Sequence, residues 1–373
     1  MDLVEKEYLS KLEQLVKINS FTKNKSGVDQ VGELLFNWFS ELGFSGNRFL
    51  QTEVGNHLLL SSPVKKNTPR ILLVGHLDTV FEQGSFEEYR EDEDWIYGAG
   101  VCDMKGGIIV IYEALRQLKL KKFDIFNIDV LLVSDEETGS DNSKFLTSQI
   151  SNNYKYGFVF EAGGKNLEVV TGRKGVGTFF IDIEGKAVHA GNFYADGIDA
   201  NLELSHKLQK LVALTDLSKG TTVNVGKIQG GIGANTVSPN AKITFEIRYK
   251  LNDEKERVLK AIDEIVATSF VPNTKAVLSG GIQRDVMETS SDSLDLVAKL
   301  SKILNKEILT EERGGVSDAN ILASSGVITL DGFGPYGDGD HTLKERALKS
   351  SFAERILDFT QILEYFLTHK TLD

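Results

Sequence analysis

A single cysteine, Cys102, leaves this 373-residue chain without an internal disulfide and without the thiolates that a structural zinc knot needs. That scarcity fits a reducing compartment, and the cytoplasm is the expected address. Long apolar runs are missing too: nothing approaches the ~20 residues of a membrane-spanning helix, so no membrane partner is expected. The opening MDLVEKEYLSKLEQLV mixes acidic with apolar residues and has no basic n-region, so it is not expected to act as a signal peptide. Proline is scarce, at five residues, and neither internal repeats nor low-complexity tracts occur, which excludes fibrous and disordered classes. Basic charge is also short: 42 Lys and Arg against 54 Asp and Glu give a formal net charge of -12. That is the wrong sign for displacing counterions from a phosphate backbone, and no nucleic acid partner is expected.

What is present, 41% hydrophobic and 26% charged residues, is the make-up of a soluble globular enzyme long enough for one large domain and a smaller one. Val31, Leu34, Leu35, Trp38, Phe39 and Leu42 recur at helical spacing and Gly43 supplies a stop. Short apolar runs at 71–75, 128–133 and 158–160, with a helical stretch near 108–118 between the first two, read as buried strands of an α/β sheet. Between about 174 and 281 the pattern becomes strand, helix, strand, strand, helix, strand, at 178–184, 199–214, 221–228, 242–249, 253–268 and 275–278. That order is ferredoxin-like, and it predicts a movable lid inserted into a discontinuous α/β domain formed by 1–173 and 282–373. The larger domain is expected to have a central mixed sheet flanked by helices. Its C-terminal part holds a helix at 293–304, a strand at 327–330, glycine-rich loops and a final amphipathic helix.

Each apolar run ends in chemistry-bearing residues: His76 and Asp78 after the first, Glu136 and Glu137 after the second, Glu161 after the third. Asp103 and His341 stand in glycine-rich loops. Strand carboxyl ends form the crevice where open α/β sheets bind ligands, so these residues can converge. Carboxylates gathered at a buried site repel one another unless a cation neutralises them. A metal pair with one imidazole per ion and shared carboxylate oxygens suits zinc, with Co(II) or Mn(II) as substitutes. Such a pair favours an acidified water and a polarised carbonyl. One of Glu136 and Glu137 can bind metal while the other serves as the base. Asp78, two residues beyond His76 on extended chain, is expected to orient the imidazole. A lone His-x-Asp or an Asp-Glu-Glu is more often plain surface; the order and placement of the whole set carry the argument.

The segments GHLDTV (75–80), GAGVCDMKGG (98–107), SDEETGS (134–140), VFEAG (159–163), GKAVHAG (185–191), GGVSDAN (314–320) and DHT (340–342) together resemble the M20 family of metallopeptidases, in family order and across most of the chain. The likeness is strongest to its glutamate carboxypeptidase (carboxypeptidase G2) branch, with acetylornithine deacetylase and succinyl-diaminopimelate desuccinylase as cousins. The resemblance implies two zinc ions bridged by Asp103, one completed by His76 and Glu161 and the other by Glu137 and His341. It implies that Asp78 orients His76 and that Glu136 is the general base. In the lid, 174–281, it implies a homodimer across which His189 polarises a substrate carbonyl, with Asn235 and Arg248 holding the substrate's carboxylate end. The implied reaction is hydrolysis of a small peptide or N-acyl amino acid next to a free carboxylate, glutamate carboxypeptidase-like in the first place. An N-acyl-amino-acid deacylase is the alternative, and a noncatalytic metal-binding relative a remote one. Asp338 and Asp340 remain open as further acidic neighbours of His341, Cys102 reads as a small packed side chain, and His57, His206 and His369 as structural.

Overall fold

The computed structural model describes residues 3–372. Its chain divides into two compact units, the first running to Gly172 and continuing through Thr289–Arg313 and from Ser317 onward, the second formed by Arg173–Glu288 with Gly314–Val316.

At the centre of the first unit is a six-stranded sheet in the order Ser45–Phe49, His57–Ser61, Ile128–Val133, Ile71–His76, Tyr156–Val159, Ile328–Leu330. The four strands from Ile128–Val133 onward are mutually parallel, while the first two join antiparallel, so the sheet is mixed. Every residue of Ile71–His76 and Ile128–Val133 is buried, which explains their unbroken apolar character: layers cover both faces and no position is left for alternation. The helices Lys105–Leu120 and Lys349–His369 share one core with this sheet through Ile108, Ile111, Phe158, Phe160, Phe352 and Phe359. Phe160 and Phe359 meet edge to face at 4.8 Å.

Lys105–Leu120 begins three residues earlier than its apolar periodicity suggests, and two glycines are the reason. A Cβ on Gly106 would lie 2.0 Å from the Val101 carbonyl oxygen, and one on Gly107 1.9 Å from that of Phe160. The first turn therefore rests directly on the Asp103 loop and on the chain that ends in Glu161. Gly107→Ala is expected to cost about 3 kcal/mol by overpacking. The check is the denaturant midpoint at unchanged slope; an unaltered midpoint would mean that the helix start can retreat.

In the second unit four antiparallel strands lie in the order Thr222–Gly230, Asn240–Tyr249, Gly175–Glu184, Lys275–Arg284. With helices Ala200–Val212 and Asn252–Ala267 this makes the βαββαβ sequence of a ferredoxin-like layer. Asn240–Tyr249 alternates strictly, with Ala241, Ile243, Phe245, Ile247 and Tyr249 turned into the core against Val258 and Ile262. The last strand continues through Ser279-Gly280-Gly281 to Arg284 instead of stopping at Leu278, with Gly280 at φ 91 and an irregular register between Ile282 and Arg284. An edge strand tolerates such a kink, because only one side must keep its ladder.

Candidate metal centre

Asp103 lies between two imidazoles. Its Oδ1 is 3.0 Å from His76 Nε2 and its Oδ2 is 3.2 Å from His341 Nε2. Each Nε2 meets one further carboxylate: Glu161 Oε1 lies 3.8 Å from that of His76, and Glu137 Oε2 lies 3.1 Å from that of His341. Candidate ligand atoms of His76, Asp103 and Glu137 all fall within 4.8 Å of one another. The structure thus gathers all five of these residues on the carboxyl-end side of the central strands.

Local chemistry prepares each donor. His76 ends the central strand, buried, with Nδ1 3.0 Å from the backbone carbonyl of Asp78. A carbonyl only accepts, so Nδ1 carries a proton, and Nε2, which faces Asp103, is the nitrogen that would give up its proton to take a metal. The Asp78 carboxylate is farther from the ring, at 3.4 Å, and has other work: it accepts from Thr22 Oγ1 at 2.7 Å and from the amides of Glu136 and Glu137 at 3.3 Å each. Asp78 therefore ties His76 to the 3-10 turn Glu136–Thr138 and fixes where the two glutamates start. The Glu136 side chain is half-buried there. His341 sits in a left-handed backbone conformation, φ 60, with a side chain 59% exposed.

Electrostatics of the protein alone show what the cluster needs. Burial, then the Asp103 charge, raises the Glu137 carboxyl to about 8, and the same two causes push Glu161 well above the carboxylate range. Asp103 goes the other way: burial opposes its charge, but hydrogen bonds from His341 and His76 win and hold it low. The hydrogen bonds that His341 donates to Asp103 and Glu137 lift it to about 11. His76 also rises well above its usual value, although burial, its largest influence, works against the charge. Carboxylates that take up protons and imidazoles that hold them are the signature of a site short of positive charge. Two carboxylates and two imidazoles around one shared Asp, with no thiolate, fit a pair of divalent cations.

Of the open acidic neighbours, Asp338 engages Arg346 through both oxygens, at 2.8 and 3.0 Å, and Asp340 Oδ1 lies 3.8 Å from the buried Cys102 Sγ. Two supporting residues escaped the sequence reading. Glu345 holds the amides of the Asp103 loop, and buried Lys105 donates to the Leu15 and Ile18 carbonyls at 3.0 Å each. Burial lowers Lys105 to about 7 and raises Glu345 to about 7. In the sequence both stand among glycines or charges and look like surface.

The residues expected of the second unit do not form one cluster. His189 caps Ala190–Phe193, its Nδ1 accepting from the Gly191 amide at 3.2 Å, and it bridges to Thr236 next to Asn235. Nδ1 as acceptor leaves Nε2 carrying the proton, on an exposed ring. Arg248 lies at the opposite end of the sheet, paired with Val176 where Asn240 pairs with Glu184. Eight residues of strand put it about 26 Å from the His189 end. Its Nε donates to Glu246 at 2.7 Å and its Nη1 to the Gly314 carbonyl at 2.9 Å.

Among the described residues no helix is long and apolar enough to cross a membrane. Comparison with known proteins places the chain among hydrolases. It is 28% identical over 359 residues to carboxypeptidase G2 of Pseudomonas sp. (strain RS-16), covering 93% of this chain and 86% of that protein. Acetylornithine deacetylase of Vibrio campbellii is 29% identical over 262 residues, 65% of this chain and 68% of the relative. Among solved structures, aminopeptidase PepT from Bacillus cereus superposes with a TM-score of 0.83 at 22% identity, over 96% of this chain and 98% of that one, a likeness of fold. Residues 72–367 match Peptidase family M20/M25/M40, and with most of its length inside that match the chain belongs to this family of metal-dependent hydrolases.

Proposed function

We propose that the protein hydrolyses a peptide or N-acyl amide bond next to a free carboxylate, with a glutamate-carboxypeptidase-like preference, using two zinc ions per subunit. The carrying observation is Asp103, whose two oxygens each face an imidazole, with one more carboxylate on each side. His76, Glu161 and Asp103 are the ligands on one side and Asp103, Glu137 and His341 those on the other. Ions held there supply Lewis acidity toward the scissile carbonyl and lower the pKa of water. Glu136, next to ligand Glu137 and anchored by its amide to Asp78, takes the proton of the attacking water and delivers it to the leaving nitrogen.

The second unit acts in this reading as lid and dimerisation domain. An amino-acid-sized ligand cannot touch both ends of one sheet, which supports His189 and Asn235 serving a neighbouring subunit's site in a homodimer. The Nε2–H of His189 is the donor needed to polarise a carbonyl. Arg248 is suited to gripping a carboxylate once its pair with Glu246 opens. A lone, buried Cys102 supports a cytoplasmic location. The likeness to acetylornithine deacetylase favours, as second reading, an N-acyl-amino-acid deacylase with the same scissile bond and a different side-chain pocket.

The test is release of free amino acid from a panel of N-acyl amino acids and glutamate-terminated peptides, before chelation, after it, and after zinc is restored. Release that stops with the chelator and returns with zinc, strongest on the glutamate peptides, is expected. Release indifferent to chelation, or none across the panel with both ions bound, would overturn the proposal.

A further inference from the structure

The segment that brings His341 to the site carries a second acidic group. Glu345 is 0% exposed. Its Oε2 accepts from the Gly100 amide at 3.0 Å, and its Oε1 accepts from the amides of Cys102 at 3.0 Å and Asp103 at 3.1 Å. The Cys102 Sγ lies 3.5 Å from the same Oε1. The Glu345 backbone is gripped as well: its carbonyl accepts from Gly98, its amide donates to Thr342, and the adjoining strand Arg346–Leu348 pairs with Trp95–Tyr97. A buried carboxylate is costly unless several donors satisfy it, and buried loop amides are costly unless acceptors meet them. Here each supplies the other's need.

The same stretch, 341–345, therefore holds Asp103 at both ends. His341 Nε2 is 3.2 Å from the Asp103 Oδ2, while Glu345 Oε1 is 3.1 Å from the Asp103 amide. His76 stands on a fully buried central strand, whereas His341 is on an exposed loop with a left-handed backbone. The His341 side of the centre thus depends on this stretch for its imidazole as well as for Asp103, and the His76 side for Asp103 alone.

We propose that Glu345 is a positioning residue for Asp103. It fixes the 100–103 loop so that Asp103 presents one oxygen to each imidazole, and when it is weakened the ion on the His341 side is the first to be lost. This rests on the reading of Asp103 as a shared ligand of two divalent ions. Glu345→Gln keeps the volume but leaves one acceptor oxygen, turning an NH2 toward a backbone N–H. Outer partners of this kind are worth about 10- to 100-fold in metal affinity.

The experiment titrates metal-free wild type and E345Q with Co(II), followed by visible absorption, and with Zn(II) against a chromophoric chelator, with denaturant unfolding of both apoproteins in parallel. The expected result is a weaker-site affinity lower by about 10- to 100-fold in folded E345Q, and altered Co(II) bands for that equivalent. A merely structural role would lower apoprotein stability while leaving affinities and bands of the folded protein unchanged, and that outcome overturns the proposal. Should E345Q fail to fold, Glu345→Asp is titrated instead, since it keeps the charge but draws the carboxylate back by about 1.5 Å. A weakened second ion there supports the proposal, and wild-type affinities overturn it. Wild-type protein that binds no divalent ion would sink the metal reading itself, an outcome distinct from wild type with two ions and a variant that matches it.

Discussion

Glu136→Gln is expected to bind as much metal as the parent and to turn over substrate slower by a factor on the order of 10²–10⁴. The amide cannot accept the proton of the attacking water, yet the substitution leaves every proposed ligand in place. The Glu136 backbone stays where Asp78 holds it, and the neighbouring Glu137 still faces His341. The loss corresponds to about 3–5 kcal/mol of transition-state stabilisation, all of it in the chemical step, so kcat should fall while KM changes little. Metal content by mass spectrometry and steady-state kinetics on the best panel substrate decide the matter. Near-parental kcat at full metal content would mean that another group takes the proton.

Much of the fold and the cluster is legible in the sequence because one physical rule links them. Buried parallel strands are written as unbroken apolar runs, and the residues just past the end of each run lie at the sheet's carboxyl edge. Ile71–His76 and Ile128–Val133 are such runs, and His76 and Glu137 fall together for that reason. Asp103 and His341 need the family resemblance as well, since nothing in a glycine-rich loop tells which way its side chain turns. The strand Lys275–Arg284 outruns its apolar stretch because Ser279-Gly280-Gly281 reads as punctuation, while an edge strand can absorb it as a kink.

Other features are illegible because they belong to atoms rather than residue types. Two-residue spacing predicts that Asp78 faces the same way as His76, but it cannot tell that the ring would meet the Asp78 carbonyl while the carboxylate held the 136–137 amides. Lys344-Glu345-Arg346 reads as charged surface. The burial of Glu345 arises from amides some 240 residues away in sequence, those of Gly100, Cys102 and Asp103. Arg248 and His189 are each recognisable by motif, yet their separation along the sheet is a matter of register, which motifs do not carry.

Asp103→Ala is expected to show the opposite signature to Glu136→Gln: metal content close to none after gel filtration, and turnover at background even when zinc is added back at micromolar concentration. The reason is a count of donors. Without Asp103 each half of the centre keeps one imidazole and one carboxylate, His76 with Glu161 and Glu137 with His341, fewer protein ligands than the three of an ordinary catalytic zinc site. Both halves fail together, because Asp103 is the group that faces both imidazoles. The fold should survive: the two glutamates and two histidines left behind sit at the sheet's edge, beyond the core formed by Phe158, Phe160 and Phe359. Without Asp103 the two imidazoles lose a partner that holds their protons, while Glu137 and Glu161 are relieved of its charge; the opposing effects should lower the apoprotein's denaturant midpoint only modestly, with the cooperative transition retained. Metal analysis, activity and unfolding of the one variant therefore separate a lost ligand from a lost fold. If Asp103→Ala retained two ions, the shared-carboxylate arrangement would be wrong, and the five residues would have to bind metal in some other grouping.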